Sequence, residues 1–187
     1  MGSPTVLFIL IILIIVLTIA AVSDIIFQKI PNWLTYPTMI VGIAYYTWMN
    51  GIEGFLYSVE GIGVGVIVLI LPYLMGGMGA GDIKLMGAVG GLLGPKGVFT
   101  AFLFTAIIGG IYALIILALY GNLRDTFKRY GTMLKTFVLT QTMIYIPPSR
   151  EEMKPRLCYG VAIALGTILS VFYGSIIILG YRGIALN

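Results

Sequence analysis

Two aspartates, Asp24 and Asp82, stand where long apolar stretches meet short loops, and the second closes a Gly79-Ala80-Gly81-Asp82 run. A carboxylate beside hydrocarbon costs roughly 2.5 to 3.5 kcal/mol on insertion scales, so a chain this poor in charge needs a reason for each. Two carboxyl groups that can meet do not easily both ionise. One then serves as a base for a water molecule while the other, protonated, polarises a peptide carbonyl. That is the chemistry of aspartyl proteolysis, and it requires no metal and no organic cofactor. Taken singly, each residue also has a plain structural reading. Asp24 can pair with Lys29 in the headgroup region, and Asp82 can cap a helix.

The elements that must position such a pair are membrane helices. Of 187 residues, 59% are hydrophobic and 10% charged, with a mean hydropathy of +1.05, which marks an integral membrane protein. The length suits one domain, residues 1–187, an all-α bundle of six transmembrane helices at about 20 apolar residues per crossing. The sequence has no histidine, and its single cysteine, Cys158, allows no internal disulfide and no CxxC zinc pair. Zinc catalysis, haem ligation by histidine and a Ser/His/Asp triad all lose their ligands or base. The pI near 9.2 is no sign of nucleic-acid binding, because basic residues of a membrane protein gather in its cytoplasmic loops.

The expected spans are 5–23, 34–49, 55–75, 82–94, 98–120 and 157–179. The first reads as a membrane helix rather than a cleavable signal peptide, since no basic residue precedes it and its core is long. Residues 121–156 form the one large polar loop and carry Arg124, Lys128, Arg129, Lys135, Arg150, Lys154 and Arg156. With that loop in the cytoplasm and each span crossing once, Lys29 and Lys84 fall inside, and only Lys96 and Arg182 fall outside. The positive-inside rule therefore puts both termini outside and both aspartates at the cytoplasmic boundary. The charge count makes no use of the aspartates. Within the loop, residues 133–146 are apolar enough to lie in the interface or against the bundle.

The local settings add detail. Pro31 stops any helix running on from Asp24 and biases Ile30 toward extended backbone, so the chain turns there, and Asn32 can cap the following helix. The glycines before Asp82 let the backbone bend sharply or approach another helix. Beyond it, the spacings Gly87/Gly91 and Gly90/Gly94 allow tight helix contact in lipid, which places the fourth span centrally.

Together these features are far more specific than their parts. Asp24 followed by Lys29-Ile30-Pro31-Asn32, then Gly79-Ala80-Gly81-Asp82-Ile83-Lys84-Leu85, resembles the type IV prepilin peptidase family of membrane GxGD aspartyl proteases over essentially the whole chain. The stretch Cys158-Tyr159-Gly160-Val161-Ala162-Ile163 is similar to Pro-Tyr-Gly-x-Ala-Ile of short members that serve tight-adherence (Flp) pili, with cysteine in place of the proline. The short form likewise resembles archaeal preflagellin peptidases.

The resemblance implies an inner-membrane endopeptidase whose catalytic pair is Asp24 and Asp82. Gly79 and Gly81 would give the flexible approach, and Lys84, Pro31 and Asn32 would be supporting motif positions. The substrates implied are prepilins, pseudopilins or archaellins, cut after a glycine just before their hydrophobic segment, with no metal or other cofactor. Larger bacterial members add a region with two CxxC pairs and an N-methyltransferase activity; one cysteine departs from that pattern, and cleavage without methylation is the expectation. Basic residues of the loop would repel a basic leader and suit anionic lipid instead. Two other readings stay open. One is a presenilin-like intramembrane protease, although the Tyr-Asp and Pro-Ala-Leu elements of that group are missing. The other is a small proton or cation transporter using the two aspartates, for which matching broken helices would be the sign.

Overall fold

The computed structural model describes residues 4–74, 77–120 and 158–184, with side chains for 7–74, 77–116 and 158–174. All described secondary structure is helical: α1 (Pro4–Phe27), α2 (Asn32–Leu74), α3 (Ala80–Tyr120) and α4 (Tyr159–Ile184). The first three contain stretches long and apolar enough to cross a membrane, and α4 adds a shorter apolar stretch at 159–174. The chain divides into two compact units, Met1–Gly109 with Cys158–Asn187, and Gly110–Leu157. Both aspartates belong to the first. The polar loop 121–156 and its apolar stretch 133–146 lie outside the described residues.

Two of the long helices are folded at a glycine. Gly51 (φ 61°, ψ −136°) breaks α2, and Gly94 (φ 71°, ψ −179°) breaks α3 just before Pro95. Positive φ there is open to glycine and strained for any other residue. The two halves of α2 lie side by side: Tyr46 and Tyr57, on opposite sides of the break, have ring centroids 5.0 Å apart. Gly42 and Gly61, from the two halves, approach the consecutive residues Gly91 and Gly90. The sequence expectation of separate spans at 34–49 and 55–75, and at 82–94 and 98–120, thus corresponds to helical segments 32–50, 52–74, 80–93 and 95–120.

Segment 80–93 lies at the centre, as its glycine spacing suggests. Leu85, Met86, Ala88, Val89 and Leu92 are fully buried. A Cβ at Gly61 would strike the carbonyl of Gly90, and one at Gly90 would strike the carbonyl of Gly61, so α2 and α3 touch backbone to backbone. On α1, Ile9, Leu13, Val16, Leu17 and Ala20 form the inward stripe, while Leu7, Ile11, Ile14 and Ile15 face outward. An outer face as apolar as the core is what hydrocarbon surroundings demand; Trp48, on α2, is 89% exposed.

The break at Gly94 leaves backbone carbonyls without helical donors, because Pro95 has no N–H to give to Gly91. Three hydroxyls from α2 replace those donors. Ser58 Oγ donates to the Gly91 carbonyl (2.9 Å), Tyr46 Oη to Leu92 (2.8 Å) and Tyr57 Oη to Leu93 (2.8 Å). An unsatisfied buried carbonyl costs about 1 to 3 kcal/mol. Ser58→Ala is therefore expected to lower the thermal unfolding midpoint of the detergent-solubilised protein by several degrees, and an unchanged midpoint would show that the bond contributes nothing.

Candidate active site

The ends of four helices meet around Asp24 and Asp82. Asp24 lies in the last turn of α1. Its backbone carbonyl accepts from Gln28 N (2.9 Å), and Gln28 takes a positive φ of 51° that ends the helix in a left-handed residue. Ser23 Oγ then donates to the Lys29 carbonyl (2.8 Å) and holds the chain as it turns toward Pro31. The carboxylate of Asp24 does not turn to Lys29. Its Oδ2 accepts the backbone N–H of Gly160 at 2.7 Å, from the first turn of α4. The Cys158 thiol makes a weak contact with the Asp24 carbonyl at 3.8 Å.

Asp82 is the third residue of α3 rather than its cap. Helix α3 begins at Ala80, and Asp82 Oδ2 reaches back to accept the N–H of Gly79 at 2.9 Å, while Asp82 N donates to the Gly79 carbonyl at 3.1 Å. This is the reach-back half of a capping box with glycine at the cap position. Gly81 packs against the turn that follows Asp24: a Cβ there would lie 3.1 Å from Ile30 Cβ and 3.3 Å from Ile30 N. The two sequence motifs are thus in direct contact.

Lys84 completes the junction. Its Nζ donates to Asn32 Oδ1 at 2.8 Å and stands 5.2 Å from the centroid of the Tyr36 ring. Asn32 therefore opens α2 with its side-chain oxygen committed to Lys84, not to the helix cap foreseen for it. Pro31 contributes through its carbonyl, which accepts Leu34 N at 3.1 Å. Asp24 and Asp82 are each 7% exposed. Each carboxylate is anchored through Oδ2 by a separate backbone N–H, that of Gly160 for Asp24 and that of Gly79 for Asp82.

All the residues singled out in the sequence converge here: Asp24, Asp82, Gly79, Gly81, Lys84, Pro31 and Asn32. Gly160 joins them without having been assigned a role. The signal for it was present in the Cys158-Tyr159-Gly160 stretch, but a contact made by a main-chain N–H leaves no chemical signature in the residue type.

A sequence profile described as the type IV leader peptidase family matches residues 11–114, a stretch that includes both aspartates and their flanking motifs. The chain belongs to that family. It is also 31% identical over 188 residues to the prepilin leader peptidase/N-methyltransferase of Bacillus subtilis (strain 168), an alignment that covers 100% of this chain and 64% of the relative. This chain thus spans less than two thirds of that relative's length. No solved structure matches it significantly.

Proposed function

We propose that this protein is an aspartyl endopeptidase that removes the leader of prepilin-like precursors, with Asp24 and Asp82 as the catalytic pair. The observation that carries the proposal is the convergence of both carboxylates, from motifs about fifty residues apart, at one junction of helix ends. In this reading the six helical segments cross the bilayer six times, and the junction faces the cytoplasm. Water can then reach the carboxylates while the substrate's hydrophobic segment stays in lipid.

The reaction follows from the paired acids. The ionised carboxylate takes a proton from a water held between the two, and the water oxygen attacks the scissile carbonyl carbon after the leader's last glycine. The protonated partner donates to the carbonyl oxygen as the tetrahedral intermediate forms. Collapse of that intermediate breaks the C–N bond, and the departing amine collects a proton to become the new N-terminus. Lys84 and Asn32, bonded across the junction, hold the two motif turns in register.

The proposal is confined to cleavage. The Bacillus relative is named for a methyltransferase activity as well, but one cysteine cannot supply the paired CxxC elements that accompany methylation in larger members. Family membership favours a peptidase over a transporter. Co-expression with a prepilin tests the reading: Asp24→Asn or Asp82→Asn is expected to abolish the precursor's mobility shift. Continued processing by both variants would contradict it.

A further inference from the structure

We propose that the backbone N–H of Gly160 is a positioning group for the reaction, and that position 160 must be glycine because the space a side chain would fill is occupied by the Asp24 carboxylate. The inference rests on the assignment of Asp24 to the catalytic pair. It concerns α4, which lies beyond the stretch that matches the family profile.

Two independent features of the geometry support it. The first is the donor. Gly160 is the second residue of α4, where backbone N–H groups have no carbonyl one turn earlier in the same helix to receive them. Its N–H is given instead to Asp24 Oδ2 at 2.7 Å, a bond buried from solvent. A hydrogen bond to a carboxylate is short and strong, and one from the main chain cannot rotate away as a side-chain donor can.

The second is the space. A Cβ on Gly160 would lie 2.9 Å from Asp24 Oδ2, 3.0 Å from its Cβ and 3.1 Å from its Cγ. The Oδ2 distance is too short for a real Cβ, and the Cβ and Cγ distances are tight, so the crowding runs along the Asp24 side chain and rotation of its tip alone does not relieve it. Helix α4 cannot easily retreat either. Six residues on, Gly166 sits so close to Thr105 of α3 that a Cβ there would meet its backbone, and Gly109 lies under the ring of Tyr159. An alanine at 160 therefore displaces the carboxylate rather than the helix. The distances call for a shift of a few tenths of an ångström; since misplacement of a reacting group by about 1 Å costs on the order of 100-fold in rate, a loss of several-fold follows.

The test uses the purified full-length protein in detergent and a synthetic peptide consisting of a basic leader, a glycine at the cleavage position and an apolar segment. Gly160→Ala is expected to lower kcat several-fold, with KM within about twofold of native. A second variant isolates the donor. Cell-free incorporation of glycolic acid at position 160 turns the 159–160 amide into an ester, which removes the N–H and adds no atom to the crowded side. Its kcat is expected to fall at least about tenfold, again with little change in KM. Gly174→Ala, on the same helix with nothing among the described residues within 4 Å of the added methyl, is expected to keep native kinetics.

Native kcat in the ester variant would overturn the positioning role of the N–H, and native kcat in Gly160→Ala would overturn the requirement for glycine. An equal loss in Gly174→Ala would overturn both, by showing that glycines of α4 act through the fold. If Gly160→Ala does not fold, the ester variant decides alone. Asp24→Asn measured beside them separates the two levels of the argument: activity in that variant contradicts the catalytic pair, whereas its inactivity beside native Gly160 variants contradicts only the present inference.

Discussion

Asp82→Asn is expected to lower the rate of leader cleavage by at least about 1,000-fold while leaving the thermal unfolding midpoint close to native. The separation of the two effects follows from how the residue is held. Asp82 Oδ2 accepts one backbone N–H, from Gly79, and an asparagine oxygen can accept the same bond with the same shape. The lost property is the ability to exchange a proton with water or substrate, which is required for chemistry and not for folding. Removal of an ionisable group buried to this extent can even favour the fold. Cleavage kinetics and unfolding of the same preparation give both numbers, and a large fall in midpoint alongside the fall in rate would show that Asp82 is structural.

Gly90→Ala should be the opposite case, a variant that fails before chemistry is reached. The added Cβ would strike the backbone carbonyl of Gly61, with its carbon at 2.5 Å and Ile62 N at 3.1 Å. Backbone atoms of two packed helices cannot yield as a flexible side chain does, and α2 and α3 must separate along the line that includes Gly42 and Gly91. Overpacking of an ordinary core costs about 1 to 3 kcal/mol, and a rigid contact at the centre of the bundle belongs at or above the top of that range. Little folded protein is expected in the membrane fraction. Gly63→Ala gives the contrast: none of the described residues lies within 4 Å of its new methyl, and a helical glycine replaced by alanine gains up to about 1 kcal/mol. Equal accumulation of the two variants would contradict the backbone contact.

The sequence was informative where side-chain chemistry carries the message. Asp24 and Asp82 were legible because acids beside hydrocarbon are costly, and Lys84, Asn32 and the glycine pair because they flank those acids in family motifs. The break at Gly51 falls between the expected spans 34–49 and 55–75, and that at Gly94 falls on the last residue of the expected span 82–94. The sequence was silent where the main chain does the work. Gly160 acts through an N–H that every residue but proline carries. Ser58, Tyr46 and Tyr57 find their acceptors only once Gly94 and Pro95 have released carbonyls on another helix. Gly61 and Gly63 look alike in the sequence, yet one meets a backbone and the other open space. Asn32 suggests only a local use in the sequence, a helix cap, because its partner Lys84 lies on another helix.

The central claim is that Asp24 and Asp82 act as one unit, and a double-variant cycle in single-turnover cleavage of a prepilin peptide tests it most directly. Groups that share a proton and a water fail together, so Asp24→Asn, Asp82→Asn and the double variant are expected to lose activity to the same extent. Substantial cleavage by either single variant, or losses that multiply in the double variant, would contradict a shared catalytic role.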